Sequence, residues 1–178
     1  PAIRDDVAAV IGGASSGWRG SIPYLFYHEQ TSAANAFLRF YYRDFSIGDN
    51  PCPPPPGQSN PAGCHQVKSN YTLYDSARDA AYMKEADIYI NSQYTWFPQT
   101  IRFVIAHELG HHYGLHERYL GGGLCNGSER TIMDAPWLFQ GIVQICDNLQ
   151  APTELDKQRV NALWSGGDPR GELRGDLP

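Results

Sequence analysis

Two histidines and one glutamate lie close together in the segment His107-Glu108-Leu109-Gly110-His111. Residues four apart on a helix share one face and lie one turn from each other. Both imidazoles can therefore reach the same metal ion, and the glutamate between them can hold a water molecule bound to that ion. These residue types at this spacing predict a hydrolytic metal centre carried by a helix.

A catalytic zinc site needs a third protein ligand and one open position besides the two histidines. Three downstream residues are candidates, namely Glu117, His116 and Glu129. Gly114 can end the helix in a conformation that other residues avoid, so that the next residues return beneath the metal. The pattern H-E-x-x-H-x-x-G-x-x-H places the third ligand where Glu117 stands, although the pattern has histidine there. We favour Glu117 and keep His116 and Glu129 as alternatives.

The run from residue 107 to residue 119, HELGHHYGLHERY, resembles the zinc signature of the metzincin peptidases. Residues 131–134 (TIMD) resemble the Met-turn of that clan, and residues 158–164 resemble a closing helix. Within the clan the chain is most similar to the snapalysin family of small secreted neutral proteases. Their third ligand is an aspartate at the position of Glu117, so this chain departs from them by one methylene group. The resemblance covers roughly residues 85–166.

The order of predicted strands and helices is mixed and indicates an α+β fold with the metal helix in the middle of the chain. The resemblance implies a metzincin-like single domain in two lobes, with a mixed twisted sheet, the active-site helix and a C-terminal helix. In this interpretation residues 1–167 form the catalytic domain, with a loop insertion at about residues 48–64 and a flexible tail at 168–178. Met133 is expected to form an apolar floor beneath the two histidines.

The resemblance implies a secreted, zinc-dependent endopeptidase. His107, His111 and Glu117 would hold the Zn²⁺ ion, and Glu108 would act as the general base that accepts a proton from the attacking water. Two other functions stay open: a gluzincin-type peptidase that uses Glu129 as third ligand, and an inactive binding module that zinc stabilises. Calcium is a further candidate ion, but no acidic loop has ligand spacing that supports it.

The composition of the 178-residue chain is that of one globular domain, with 42% hydrophobic and 19% charged residues. Its formal net charge of -5 offers no basic surface for nucleic acid or anionic lipid. No apolar run approaches the length that spans a membrane. We therefore expect a peptide or protein substrate as partner, no nucleic acid, no membrane, and a monomer.

Four cysteines form two pairs that are local in the sequence. Cys52 and Cys64 bracket a segment rich in proline and polar residues, and Cys125 and Cys146 bracket a second loop region. We predict the disulfides Cys52–Cys64 and Cys125–Cys146, each contributing about 3 kcal/mol by loop closure. A zinc site made of the four cysteines is less favoured because no C-x-x-C spacing occurs. Disulfides form in oxidising compartments, so the pairing indicates a secreted protein.

Hydrophobic periodicity predicts the elements around the site. Alternation predicts strands at 21–28 and 87–91. The second is our candidate for the sheet edge that pairs with a peptide substrate, and an interior strand is the alternative. Residues 31–45 carry apolar side chains at three- and four-residue steps and predict a helix. A strand is predicted at 70–74, followed by a short helix or an ordered loop at 75–85.

Local signals predict two further helices. Pro98 is suited to the first turn of the metal helix, and Gly114 is suited to its end. The buried face of that helix is predicted from Ile101, Val104, Ile105 and Leu109. Thr153 predicts the N-cap of a C-terminal helix that ends at 165–167.

Overall fold

The computed structural model of the chain describes residues 3–12, 17–18, 38–68, 73–75, 80–82, 85–117, 131–134, 137–139, 142–144 and 149–165. The helices and strands within these ranges are, in order, α1 (Arg4–Gly12), β1 (Leu38–Arg43), β2 (Gly63–Val67), β3 (Leu73–Asp75), β4 (Ala80–Tyr82), β5 (Ala86–Asn91), α2 (Pro98–His112), β6 (Trp137–Phe139), β7 (Ile142–Gln144) and α3 (Glu154–Ser165). They confirm the predicted α+β class. No helix in the described ranges is long and apolar enough to cross a membrane.

The main sheet has three strands in the order β1-β5-β2, with β1 parallel and β2 antiparallel to β5. Every residue of β5 is buried. The predicted strand at 87–91 is therefore confirmed, but its predicted place at the open edge of the sheet is wrong. The strand is interior because it pairs with β1 on one side and with β2 on the other, and Asp87 is buried beneath charged partners from β1 and the end of β2.

An ion cluster surrounds Asp87 on the face of β5 that points away from α2. Arg39 Nε donates to Asp87 Oδ1 at 2.6 Å, and Lys68 Nζ lies 3.1 Å from Oδ2. The Tyr89 hydroxyl also donates to Oδ2, at 3.1 Å. Burial raises the pKa of Asp87, but these hydrogen bonds outweigh burial, and the pKa lies below its ordinary value. The cluster thus joins all three strands of the sheet through one carboxylate.

The predicted helix at 31–45 is contradicted in its described part, because β1 stands there. Aromatic residues spaced as they are in this segment fit the period of a helix and that of a strand, and pairing with β5 selects the strand. The partly buried side chains that face the core repeat every second residue, as they do in a strand. The side chains of β1 that pack against the core are those of Leu38, Phe40 and Tyr42.

Two small hairpins accompany the main sheet, one formed by β3 and β4 and the other by β6 and β7. The strand predicted at 70–74 overlaps β3. The short helix or ordered loop predicted at 75–85 is wrong where β4 stands, since these residues pair with β3 instead.

Several predictions fall on residues outside the described ranges. These are the strand at 21–28, the first residues of the helix predicted at 31–45, the disulfide Cys125–Cys146 and the tail at 168–178. The division of the chain into a catalytic domain and a tail stays a prediction.

The metal helix forms where it was predicted. Pro98 is its first residue, and Thr100 Oγ1 accepts a hydrogen bond from the Phe97 backbone N–H at 3.0 Å. The helix ends just before Gly114, whose φ of 92° confirms the predicted stop. The buried face contains the predicted Ile101, Val104, Ile105 and Leu109, together with Phe103 and Ala106.

The C-terminal helix α3 begins directly after Thr153, as predicted. The Asp156 backbone N–H donates to Thr153 Oγ1 at 3.3 Å, and the Thr153 N–H donates back to Asp156 Oδ2 at 2.8 Å. This reciprocal capping satisfies two donors at the helix end. The helix α1 has no counterpart among the predicted elements; it packs on α2, where Arg102 Nε lies 2.8 Å from Asp6 Oδ1.

A long loop over residues 44–62 connects β1 to β2. The predicted disulfide Cys52–Cys64 is present and ties this loop to β2. At the end of the loop, Asn91 Nδ2 donates to the Pro61 carbonyl at 3.1 Å. The approach of the chain to β2 is therefore fixed by a covalent bond and by a hydrogen bond from the central strand.

Candidate metal centre and active site

The two histidines of α2 converge on one point. Nε2 of His107 lies 3.1 Å from Nε2 of His111. The other ring nitrogen of each contacts a backbone carbonyl, His107 Nδ1 that of Ile132 at 2.8 Å and His111 Nδ1 that of Leu115 at 2.9 Å. Because a carbonyl oxygen only accepts hydrogen bonds, each Nδ1 carries the proton and each Nε2 keeps its lone pair.

Two neutral imidazoles arranged in this way point lone pairs at each other, which is favourable only with a cation beside both. A proton is a poor candidate. Burial and the neighbouring His111 lower the pKa of His107 to about 3, and burial lowers the pKa of His111 as well. A metal ion fits better, since neutral imidazole nitrogens held by a carbonyl at the far side of the ring are typical zinc ligands.

Glu117, the favoured third ligand, comes close to this pair. Its Oε1 lies 3.9 Å from His107 Nε2, and its side chain is 34% exposed. Two ligand atoms on one tetrahedral zinc ion lie about 3.3 Å apart, so the distance between the two histidine nitrogens suits an ion, and Glu117 Oε1 lies farther from His107 Nε2 than a second ligand atom would. Within the described ranges, no three histidine, cysteine or carboxylate side chains are close enough together to form a metal-binding group.

The chain returns to the cleft after Gly114. The Leu115 backbone N–H donates to the Gly110 carbonyl at 2.9 Å, and Leu115, His116 and Glu117 line the cleft. His116 therefore stays an alternative third ligand. Glu129 lies outside the described residues.

Glu108 is buried in the wall of the same cleft. Burial, followed by the negative charge of Glu117, raises the pKa of Glu108 to about 8. A divalent cation nearby favours the ionised form of a carboxyl group. A carboxyl group in this setting is suited to take up a proton and to release it again near neutral pH.

The strand β2 forms the wall of the cleft that packs on α2. A β-carbon at Gly63 would lie 2.8 Å from a methyl group of Val104 and 3.0 Å from Oε1 of Glu108, so a glycine is needed for this close approach. The cleft has a volume of about 520 Å³. It is lined by all four predicted site residues, together with Gly63, Cys64 and His65 of β2.

One edge of β2 pairs with no other strand in the described part of the chain. The Asn91 N–H donates to the Ala62 carbonyl at 2.9 Å, and the Lys68 N–H donates to the Glu85 carbonyl at 2.8 Å. Bonded and non-bonded residues alternate in an antiparallel pair, so the even-numbered residues of this stretch bond to β5. The backbone groups of residues 63, 65 and 67 point the other way, where the described part of the chain places no further strand.

Residues 131–134 form a tight turn against α2. The Asp134 N–H donates to the Thr131 carbonyl at 3.2 Å. Met133 is buried, and its sulfur fills the space beside the α-carbon of Gly110, where a β-carbon would overlap it. Met133 thus packs on α2 at Gly110, the residue that precedes His111 in the sequence.

Asp156 links this turn to α3. Its side chain is fully buried, and Oδ2 accepts the Ile132 N–H at 2.9 Å, while the Ile132 carbonyl is the partner of His107 Nδ1. Burial raises the pKa of Asp156 above its ordinary value. Asp156 is therefore a positioning residue, because it holds the backbone N–H of Ile132, the residue whose carbonyl orients His107.

The sequence did not single out Gly63, His65 or Asp156 as parts of the site. Each of the three contacts a residue that is remote in the sequence, and no local sequence pattern predicts such a contact. Thr153 was predicted as a helix cap, but the second role of its capping partner Asp156 left no sequence signal.

No family model, curated protein or solved structure matches the chain.

Proposed function

We propose that this protein is a zinc-dependent endopeptidase of the metzincin type, related to the snapalysin family. The observation that carries the proposal is the pair of imidazoles whose Nε2 atoms face each other at 3.1 Å, beside the buried carboxyl group of Glu108. His107, His111 and Glu117 would hold the ion and leave one coordination position open.

When bound, zinc would supply a Lewis acid that activates a water molecule and polarises the scissile carbonyl group. Glu108 accepts the proton that the water loses during its attack and passes it to the leaving amine. The backbone carbonyls of Ile132 and Leu115 keep the two imidazoles in one tautomer, with Nε2 available as a ligand.

An extended peptide is the substrate class that the open edge of β2 favours. The N–H and C=O groups of residues 63, 65 and 67, which no other described strand pairs with, can pair with an added strand. Gly63 lies directly on Glu108, so a peptide paired with β2 would pass close to the catalytic base. The sequence predicted that a peptide pairs with a sheet edge, but it placed this edge at the central strand, β5.

The disulfide bears on the compartment in which the protein acts, and the net charge bears on its partner. The Cys52–Cys64 bond supports an oxidising compartment, and we propose that the protein is secreted. The net charge of -5 supports a peptide partner rather than nucleic acid or an anionic membrane. We propose that the protein acts as a monomer.

The test is casein hydrolysis by the parent, by the parent stripped of metal with a chelator, and by Glu108→Ala, with the zinc content of each measured. We expect the stripped protein to be inactive and to recover with zinc. Glu108→Ala should keep its zinc while the rate falls by about 10²–10⁴-fold. Glu154→Ala is the matched control, because its carboxylate lies on α3 with the side chain 79% exposed, and it should cleave at the parental rate.

Two results would contradict the proposal. Equal rates for the parent and Glu108→Ala would remove Glu108 from the reaction. A parent that holds zinc and cleaves no unfolded substrate would favour the zinc-stabilised binding module instead.

A further inference from the structure

A second pair of histidines joins β2 to α2 at the cleft. His65 Nε2 lies 3.2 Å from His112 Nδ1, and the two rings meet edge to face with their centroids 5.3 Å apart. His112 directly follows His111 in the sequence, yet its ring contacts the strand and not the His107–His111 pair. One imidazole can donate its proton to the other, which satisfies both nitrogens.

This contact continues the packing that begins at Gly63. Residues two apart on a strand share a face, and residues four apart on a helix share a face. Gly63 packs on Glu108, and His65, two residues later, packs on His112, four residues after Glu108. The strand therefore lies along the helix with one close backbone approach and one side-chain hydrogen bond.

The His65–His112 bond is the only side-chain hydrogen bond between β2 and α2 in the part of the chain that the structure describes. The neighbouring Cys64 is bonded to Cys52 and so ties the strand to the preceding loop instead. The backbone of His65 also belongs to the set that faces the open edge. The same residue thus carries peptide-pairing groups on its backbone and the anchor to the helix on its side chain.

We propose that the His65–His112 pair is a positioning device that holds the open edge of β2 in place beside Glu108, so that an extended peptide paired with β2 meets the reacting groups in register. This inference rests on the proposed function. It gives both histidines a role outside the metal centre.

Loss of the pair would loosen β2 and weaken peptide binding. Pairing with β2 holds the peptide in the ground state and in the transition state alike, so KM should rise more than kcat falls. Loss of one hydrogen bond corresponds to a factor of roughly two to ten. The zinc content should stay the same, because neither histidine is a ligand.

The experiment compares the zinc-loaded parent with His65→Ala, His112→Ala and the double variant. Zinc content, hydrogen exchange of the backbone amides of residues 62–68, and KM and kcat on labelled casein are measured for each protein. His65→Gln is the conservative variant, because its amide nitrogen can reach His112 and donate. Ile47→Ala is the control, since it shortens an apolar side chain that is 68% exposed on the loop before β2 and does not line the cleft.

We expect both single variants to exchange roughly two to ten times faster over β2 and to raise KM by a similar factor. The double variant should be no worse than either single variant, and His65→Gln and Ile47→Ala should stay near the parent. Parental exchange and KM in His65→Ala would overturn the proposal, and so would additive losses in the double variant. Loss of zinc in step with activity would overturn it too, because the pair would then belong to the metal centre.

The exchange measurement separates this inference from the proposed function. A parent that cleaves no casein refutes the peptidase and the role of the pair toward peptides together. If the parent cleaves casein but His65→Ala exchanges over β2 at the parental rate, only the role of the pair is refuted.

Discussion

The two histidine pairs at the cleft have nearly the same nitrogen–nitrogen distance, 3.1 Å for His107–His111 and 3.2 Å for His65–His112. They differ in what the far side of each ring contacts. In the first pair both Nδ1 atoms donate to backbone carbonyls, which leaves two acceptors face to face. In the second pair the described residues supply no such carbonyl, so one ring is free to donate to the other.

A short distance between two imidazoles therefore does not by itself distinguish a metal site from a hydrogen bond. The backbone partner of the other ring nitrogen distinguishes the two cases, because it fixes which nitrogen carries the proton. The first pair is suited to a cation, and we propose zinc. The second pair is satisfied by one shared proton and is suited to joining a strand to a helix.

The largest expected effect on the first pair alone comes from Asp156. Asp156→Ala removes the acceptor of the Ile132 N–H. Ile132 is then held less firmly, and its carbonyl orients His107 less well. We expect the zinc dissociation constant to rise about 10- to 100-fold, measured by competition with a chromophoric chelator.

Asp156→Asn keeps an acceptor oxygen and should recover most of the zinc affinity. Hydrogen exchange over β2 should stay parental in this variant, because the His65–His112 pair is untouched. A parental zinc affinity in Asp156→Ala would show that the Ile132 peptide does not depend on α3.

Gly63→Ala is expected to have a smaller effect on stability and activity, confined to β2, the strand that the His65–His112 pair holds. The new β-carbon would press on Val104, on Glu108 and on the Tyr89 carbonyl. We expect the free energy of unfolding in urea to fall by about 1–3 kcal/mol and casein cleavage to slow, with the zinc content unchanged.

Gly12→Ala is the control, since nothing lies within 4 Å of the position of its β-carbon. It should unfold and cleave nearly as the parent does. If Gly63→Ala were as stable and as active as the parent, β2 would not need its close approach to α2.

The smallest effect is a loss of folding stability at acid pH, and it comes from Asp87 on the face of the sheet that points away from α2. The pKa of Asp87 is lowered in the folded protein, so its ionised form stabilises the fold above the ordinary value of 3.8. That contribution is lost as the pH falls through the lower, folded-state pKa. Urea unfolding at a series of pH values should show this loss in the parent below about pH 4 and a flatter dependence in Asp87→Asn. Equal slopes for the two proteins would contradict this account of the ion cluster.

Local signals in the sequence predicted the helices that carry the site. Pro98 favours the first turn of α2 and Gly114 its end, because each restricts or permits the conformation of its own backbone. Thr153 caps α3, which follows it directly. The spacing of His107 and His111 on one helix is local as well, and the structure brings both into one cleft with Glu108.

Contacts between remote residues could not be predicted in this way. Alternation identified β5 as a strand, but its central place depends on pairing with β1 and β2. The aromatic residues of β1 fit a helix and a strand until pairing with β5 selects one. The partner of His65 lies 47 residues away, and that of Asp156 in the turn lies 24 residues away, so neither role is visible in a local window.

The central claim is that His107–His111 is a cation site and His65–His112 is not. The most direct measurement is the zinc content of the parent, His111→Ala and His112→Ala after dialysis against the same buffered zinc solution. We predict one zinc ion per chain for the parent and for His112→Ala, and none for His111→Ala. A parent without zinc, or a His111→Ala protein that retains it, would contradict the account.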